Sequence, residues 1–286
     1  MNVKDPNLTP SGLRGYFPPL GPTGKGNIFS APPYDFSTRV FGIEFEVDEE
    51  AMKSALLPPF ELSKTEPTKA LLWFGDWLFV PEDDPDMLYR NPEQCMYNEA
   101  QLILRCNFQG TEGFASRWLW VSNEAAIWIG QWMGFPKKYG ETHLSFNKSV
   151  NYKVNGMLDE FYKEGTKLGA KTVCKGTTIL KARATMDRPA TPEDGIEVLP
   201  FILMRHLPHL DDDATEPICH QIVTITDELT GIDNMWLCKD PELEFFDSEF
   251  EEIMPFAPKK LLKSYYMEAG FRHTGTKTLY DFLKKD

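Results

Sequence analysis

The sequence predicts a strand-dominated α+β fold with one large antiparallel sheet and a few short helices. Two observations predict it. β-rich runs recur along the chain, and turn clusters separate them: PEDDPD, GTEG, DRPATPEDG and PHLDDDATEP. This spacing favours an antiparallel domain over alternating βαβ units. The 286 residues suffice to bury a substantial core.

Residues 1–33 are predicted to form an extended arm, and residues 34–286 a single domain. The arm is rich in Pro and Gly, as in FPPLGPTGKG and SAPP, and such segments pack on a body rather than fold alone. The stretch GPTGKG lacks the strand–loop–helix context and the final Ser or Thr of a phosphate loop. We therefore interpret it as part of the arm.

Hydrophobic periodicity predicts the strands. Residues 40–47 alternate between apolar and other side chains, which is the period of a half-buried strand. Residues 70–80 are nearly all apolar or aromatic, as in a strand covered on both faces. Residues 101–108 alternate again. Further β-rich runs are residues 172–186, 196–204 and 218–226. The C-terminal run from Lys259 mixes apolar and basic residues and has no clear assignment.

Two stretches are predicted to be helical. Residues 48–57 end at a Pro-Pro pair, which stops a helix. Residues 123–133 follow Ser122, a candidate N-cap, and Gly134 supplies the C-terminal stop.

The charge and the cysteines restrict the functional classes. The net charge is −13, from 30 Lys and Arg against 43 Asp and Glu. Such a chain repels phosphate backbones and anionic lipid, so we expect no nucleic-acid partner and no membrane partner. No apolar run approaches the ~18 residues of a membrane span. Five scattered cysteines and a polar N-terminus favour reduced thiols in a cytoplasmic protein.

His206 and His209 give only a weak hint of a metal site. They lie three residues apart, before the acidic run 211–213. Pro208 and the surrounding turn residues keep the two imidazoles from sharing a helix face, so a solvated loop is the better interpretation. We therefore expect neither a metal ion nor an organic cofactor.

The most informative segment is GFPKKYG at residues 134–140. Lys137 and Lys138 stand side by side after a predicted helix, and Pro136 forces extended backbone at Phe135. A lysine is a nucleophile only as the neutral amine, and an apolar enclosure and an adjacent cation both favour that form. Lysine pairs are also common on solvated surfaces, so this segment alone is a weak signal.

Four segments together carry a stronger signal. In chain order they are PYDFSTRV, the run 97–99 (YNE), SNEAAIWIGQWMGFPKKYG and EPICHQIVTITD. They resemble motifs of the acetoacetate decarboxylase family, and the resemblance extends from about Pro32 to the C-terminus. It implies a barrel-like core, a small-molecule keto-acid substrate and assembly into a homo-oligomer.

The resemblance also implies roles for four residues. Lys137 would be the Schiff-base lysine and Lys138 the neighbouring cation that favours its neutral amine. Glu99 and Arg39 would be the polar pair beside it, which positions substrate or assists proton transfer. The alternatives are a solvent-facing strand residue for Glu99 and a surface ion-pair partner for Arg39.

One departure from the family pattern bears on the substrate. The family's decarboxylases carry a second glutamate on the strand that here reads LLWFGD, where Trp73 or Phe74 takes the aligned position. Asp76 could substitute only if the register slips. A pocket with aromatic surface in place of a carboxylate favours a larger or less polar substrate than acetoacetate. We expect Trp73, Phe74, Tyr97 and Phe135 to line this pocket.

These features predict a Schiff-base-forming lyase that decarboxylates a β-keto acid, with Glu99 assisting protonation. One alternative keeps the Schiff base but ends in an aldol, dehydration or cyclisation step without loss of CO₂. Another is a non-catalytic protein that binds a carbonyl or apolar ligand. The adjacent Lys137 and Lys138 argue against the latter, because binding alone does not require a neutral amine.

Overall fold

A computed structural model describes residue 9, residues 11–146 and residues 164–284. The strands of this part are β1 (Tyr34–Glu46), β2 (Glu61–Leu62), β3 (Lys69–Pro81), β4 (Met96–Phe108), β5 (Thr111–Val121), β6 (Lys137–Tyr139), β7 (Glu141–Leu144), β8 (Lys167–Cys174), β9 (Thr177–Pro189), β10 (Ile202–Leu207), β11 (Cys219–Phe245) and β12 (Lys260–Asp281). The α-helices are α1 (Glu49–Ala55), α2 (Met87–Arg90), α3 (Pro92–Cys95) and α4 (Glu124–Met133), and Pro192–Asp194 and Met254–Phe256 form short 3-10 helices.

The strands form one large sheet, as predicted. Its order is β6-β5-β4-β3-β1-β12-β11-β9-β8-β7, with β10 paired to β11 and β2 to β4. The pairs are antiparallel except β5 with β6, which run parallel. The sheet is therefore mixed, because α4 forms a crossover between β5 and β6 that returns the chain in the same direction.

The sheet curls into the barrel-like body that the sequence resemblance implies. Phe114 of β5 forms a bridge with Phe201, directly before β10, and the Phe114 amide donates to the Pro200 carbonyl at 2.9 Å. This contact closes a ring made of β5, β4, β3, β1, β12, β11 and β10, hereafter the strand ring. Successive side chains of each strand therefore point alternately into and out of the ring.

The outward face of the ring carries the main hydrophobic core. Phe41, Ile43 and Phe45 of β1 lie in it, as the alternation of residues 40–47 predicts. The inward face is also covered, because Glu44 is only 2% exposed. The half-buried interpretation of this strand was therefore wrong.

A buried ionic network fills one end of the strand ring. Lys69 Nζ lies 3.0 Å from a Glu44 carboxylate oxygen, and both side chains are almost fully buried. Arg105 pairs with Glu197 and lies 3.2 Å from Glu66. The opposite charges of these inward-facing groups compensate one another, although Glu44 Oε1 and Arg105 Nε have no hydrogen-bond partner among the described residues. The network leaves the other end of the ring for a cavity.

Both predicted helices are confirmed, with one change at a cap. The Asp48 side chain caps α1. In α4, Asn123 and not Ser122 is the N-cap, because its side chain accepts from the Ala126 amide at 3.0 Å. The Ser122 hydroxyl instead accepts from a backbone amide of β4. Gly134 ends α4 with φ 98°, the left-handed conformation that glycine adopts without strain.

The later β-rich runs have different bounds from those predicted. Residues 172–186 are divided between β8 and β9 by a turn at Lys175 and Gly176, both with positive φ. Residues 196–204 contribute only their last three positions to β10. Residues 218–226 open the much longer β11, and the unassigned run after Lys259 is β12.

The described residues of the N-terminal segment pack against α4. Phe17 stacks on Phe29 at 4.7 Å between ring centroids. It also contacts Trp128 at 5.3 Å and Trp132 at 5.6 Å, both on α4. This segment therefore covers the helix that borders the cavity. None of the described helices has the length and apolarity that a membrane crossing requires.

Candidate active site

A cavity of about 310 Å³ lies inside the strand ring, beside α4. Aromatic and aliphatic side chains make up most of its wall. The polar or charged non-aromatic side chains that line it are Thr38, Glu99, Gln101, Lys137 and Asp227. An apolar chamber with a few convergent polar groups is typical of a small-molecule site.

Lys137 places its amine in this cavity. The residue is 8% exposed. Its Nζ lies 3.0 Å from Glu99 Oε2 and donates to the Tyr97 hydroxyl at 3.3 Å. It also lies 4.7 Å from the centroid of the Tyr97 ring and 5.8 Å from that of Phe135. The amine is thus held between one carboxyl group and two aromatic rings.

Local structure aims the Lys137 side chain inward. After α4 ends at Gly134, β6 pairs with β5 so that Lys137 lies opposite Leu119, another cavity residue. Gln131 Nε2 donates to the Lys137 carbonyl at 2.7 Å. Gly130 gives room for the lysine stem, because a Cβ at that position would lie 2.3 Å from Lys137 Cδ.

Lys138 points to the other side of β6. Its Nζ lies 2.5 Å from Glu251 Oε2 and 5.7 Å from the Trp120 ring, which belongs to the core outside the ring. Consecutive residues of a strand face opposite sides. The prediction that Lys138 is a cation beside the Lys137 amine was therefore wrong.

Arg39 and Phe74 also lie outside the strand ring. Arg39 forms an ion pair with Asp76, its cross-strand partner, and lies over the Phe146 ring at 5.4 Å. Phe74 is fully buried in the outer core, 6.2 Å from Phe41. Their predicted places at the cavity were wrong, because the residues of β1 and β3 that face it are the alternate ones. The register does not slip, so Asp76 does not reach the cavity either.

Glu99 is the carboxyl group beside the amine, and it is 4% exposed. Burial raises the pKa of Glu99, and the charge and hydrogen bond of Lys137 only partly oppose this effect. Burial, together with the nearby Glu99, also raises the pKa of Tyr97 well above its ordinary value. Glu99 therefore holds a proton more readily than an exposed glutamate does, as a group that takes up and releases protons requires, whereas Tyr97 stays protonated.

The three other predicted pocket residues, Trp73, Tyr97 and Phe135, line the cavity. Trp73 donates from Nε1 to the Tyr265 hydroxyl at 2.7 Å, which fixes the indole against the wall. The family's decarboxylases carry a second glutamate on this strand, as the resemblance implies, and this chain presents the Trp73 indole to the cavity from the same strand.

Thr38, Gln101 and Asp227 were missed by sequence reasoning. Gln101 is 2% exposed, and among the described residues its Nε2 has no hydrogen-bond partner. It shares the alternation of Tyr97 and Glu99, so this pattern could have identified it. Asp227 is the last residue of the segment EPICHQIVTITD and lies just beyond the predicted β-rich run 218–226, but the resemblance assigned it no role.

The two histidines of the weak metal hint do not form a pair. His206 Nδ1 lies 2.8 Å from His220 Nδ1, on the neighbouring strand. His209 instead accepts a hydrogen bond from the Asp211 amide in an exposed turn. Within residues 11–146 and 164–284, no cluster of three or more His, Cys, Asp or Glu side chains is suited to a metal ion.

The sequence of this chain matches a known protein family over most of its length. The sequence profile of the acetoacetate decarboxylase (ADC) family matches residues 17–283. The chain belongs to this family. The match includes β1, β4, α4 and β6, which carry the residues discussed above. A sequence search of curated proteins gave no match.

Several solved structures share the fold. One is the enduracididine biosynthesis enzyme MppR complexed with the condensation product of pyruvate and imidazole 4-carboxaldehyde: TM-score 0.83, 23% identity, covering 95% of this chain and 98% of that one. An acetoacetate decarboxylase-like enzyme from Sphingomonas wittichii RW1 has a TM-score of 0.84 and 23% identity, and the match covers 94% of this chain and 100% of that one. Acetoacetate decarboxylase from Legionella pneumophila has a TM-score of 0.70 and 19% identity, and the match covers 90% of this chain and 91% of that one. At these identities the likeness establishes the fold alone.

Proposed function

We propose that the protein is a Schiff-base-forming lyase in which Lys137 condenses with the keto group of a β-keto acid. The observation that carries the proposal is the buried amine of Lys137 in the cavity, 3.0 Å from the Glu99 carboxyl. Among the described residues that line the cavity, Lys137 is also the one with a primary amine. The Lys137 amine is therefore the group that would attack a substrate carbonyl in the cavity.

The reaction begins with attack of the neutral Lys137 amine on the keto carbon. A C–N bond forms, the former carbonyl oxygen takes up a proton from solvent and leaves as water, and an iminium results. The bond to the carboxylate then breaks, CO₂ departs, and the electron pair moves into an enamine. A proton supplied from Glu99 goes to the enamine carbon. Water finally hydrolyses the iminium, which releases the ketone and restores the amine.

The apolar wall favours loss of CO₂. A carboxylate inside the cavity loses its hydration, and no arginine lines the described wall to replace that hydration. Decarboxylation converts the carboxylate and the iminium into neutral CO₂ and a neutral enamine. The transition state therefore carries more dispersed charge than the bound substrate, and the cavity stabilises it relative to that substrate.

The size and the wall of the cavity support a substrate larger or less polar than acetoacetate. The chamber measures about 310 Å³, and Trp73, Trp77 and Phe135 contribute aromatic surface. Such surface binds an aliphatic or aromatic side chain through area burial. Acetoacetate carries only a methyl group beyond its keto carbon and would leave most of this surface uncovered.

A second candidate keeps the Schiff base and ends without loss of CO₂. The structure of MppR favours it, because that protein of similar fold binds the condensation product of a keto acid, pyruvate, with an aldehyde, imidazole 4-carboxaldehyde. In this chain the same iminium would yield an enamine by loss of an α-proton, and the enamine would attack an aldehyde.

Two measurements on one panel of α- and β-keto acids test these proposals. Borohydride reduction followed by intact mass analysis should show a covalent adduct with at least one acid. Assay of CO₂ release then separates the two candidates: β-keto acids should release CO₂ if the first holds, and none if the second does. A panel that gives no adduct and no product would favour the non-catalytic binding protein.

A further inference from the structure

A second carboxylate, Asp227, faces the cavity from β11. Its cross-strand partner on β12 is His273, and directly opposed residues of an antiparallel pair have neighbouring side chains. His273 Nδ1 lies 2.6 Å from Asp227 Oδ1. The His273 side chain is 2% exposed and that of Asp227 20%. The carboxylate is therefore tethered at one oxygen.

Aromatic packing holds the tether in place. The Tyr34 ring lies parallel to the His273 imidazole, with 6.0 Å between centroids and 4° between planes. The Phe36 ring meets the imidazole edge-on at 6.3 Å. Tyr34 is itself fixed, because its hydroxyl donates to the Ser30 carbonyl at 2.5 Å. His273 cannot rotate without displacing this packing, so the direction of the Asp227 carboxylate is set.

Asp227 faces Glu99 across the strand ring. Glu99 lies on β4 and Asp227 on β11, with β3, β1 and β12 between them on one side and β5 and β10 on the other. The neighbouring inward residues of β11, Ile225 and Leu229, are apolar. A carboxylate has about four acceptor positions, and His273 occupies one of them. The acceptor positions of Asp227 that His273 does not occupy have apolar neighbours along β11 and are directed into the cavity.

We propose that Asp227, oriented by His273, accepts a hydrogen bond from a donor group on the part of the substrate remote from its keto carbon. The inference rests on the proposed function, because Lys137 places the keto end on the opposite side of the cavity. The substrate class is thus a keto acid with an apolar body and a terminal hydroxyl, amine or aromatic N–H group. An analogue without the donor leaves the remaining acceptors of a partly buried carboxylate without a partner and is rejected.

Binding measurements test this independently of catalysis. The probes are a series of β-keto acids of increasing length that end in a hydroxyl or an amine, each matched by an acid with a methyl group in that place. Quenching of tryptophan fluorescence reports their Kd values, since Trp73 and Trp77 line the cavity. In the wild type, the member of best length should bind at least about tenfold more tightly than its methyl match.

Three variants separate recognition from folding. Asp227→Leu should abolish the preference and leave the Kd of the methyl-ended acids within about twofold. His273→Gln should reduce the preference, because the carboxylate loses its orientation. Glu228→Gln is the matched control, since that neighbouring side chain is 68% exposed, and it should keep the preference.

Two results would overturn the inference: a wild type without preference for donor-ended acids, or an Asp227→Leu variant that retains it. Borohydride trapping of the same acids is read separately. If no acid is trapped at Lys137 but the Kd preference depends on Asp227, the proposed chemistry fails and the recognition role stands.

Discussion

Glu99 and Lys137 form a pair whose behaviour depends on their enclosure. Burial raises the pKa of Glu99, so its carboxyl binds a proton more readily than an exposed glutamate does. A protonated carboxyl group beside the amine can give its proton to the enamine carbon and recover a proton when water hydrolyses the iminium. This is the property that a general acid–base group at this position requires.

Glu99→Gln tests that role at the level of one side chain. The amide keeps the shape of the carboxyl but cannot transfer a proton. We expect kcat with the best acid of the panel to fall by about 10²- to 10⁴-fold, while borohydride still traps the substrate. Adding Gln101→Glu to the Glu99→Gln variant places a carboxyl group at the next inward position of β4, and this double variant should not recover the wild-type kcat. An unchanged kcat in Glu99→Gln would remove Glu99 from the mechanism.

The strands show which parts of the site the sequence predicts and which it does not. Alternation along residues 40–47 correctly groups Phe41, Ile43 and Phe45 on one face. The same alternation places Arg39 with them and Thr38 with the other face. It does not reveal which face borders the cavity, because both faces are buried, and only closure of the ring decides this. Motif matching therefore assigned Arg39 to the wrong side.

The error for Lys138 has a related cause. Residues 137–139 form a short strand that pairs parallel with β5, and the sequence alone predicts no strand there. If no strand is predicted, two adjacent lysines are expected to place their amines close together in space. Two of the predicted pocket residues, Tyr97 and Phe135, do lie near the Lys137 amine.

Gly130→Ala tests how α4 positions the nucleophile. The new methyl carbon would lie 2.3 Å from Lys137 Cδ, so the lysine stem must move. We expect the rate of borohydride trapping to fall by at least about tenfold, which corresponds to ~1.4 kcal/mol at the transition state. Stability should change little, because alanine favours the helix by ~1 kcal/mol and offsets part of the clash.

The matched control is Gly231→Ala on β11. A Cβ there meets nothing within 4 Å, and its trapping rate should equal that of the wild type. Wild-type trapping in Gly130→Ala would mean that the lysine stem has room to spare.

For the whole molecule, closure of the ring makes the cavity. The Phe114–Phe201 contact joins segments that are far apart in the chain, and no local sequence pattern predicts it. The ionic network of Glu44, Lys69 and Arg105 then fills one end, while α4 borders the other. The N-terminal segment packs on α4. Sequence periodicity predicted a large sheet, but the barrel-like shape came from the family resemblance. Assembly into a homo-oligomer remains a prediction.

Lys69→Met tests the filled end. Glu44 would keep a buried carboxylate without its closest cation, and we expect a loss of about 3–5 kcal/mol in the free energy of unfolding, measured with urea. The double variant Lys69→Met with Glu44→Leu should recover most of the loss, because an apolar pair can replace a buried ion pair at little cost. Wild-type stability in the single variant would show that the network does not stabilise the ring.

The proposed chemistry requires that the amine of Lys137 forms the covalent bond to the substrate. Borohydride trapping of the best keto acid, followed by peptide mass mapping, identifies the lysine that carries the substrate. The adduct should lie on Lys137 in the wild type, persist in Lys138→Ala and be absent from Lys137→Arg, which conserves the positive charge but lacks the nucleophile. An adduct on another lysine, or trapping that survives in Lys137→Arg, would contradict the account.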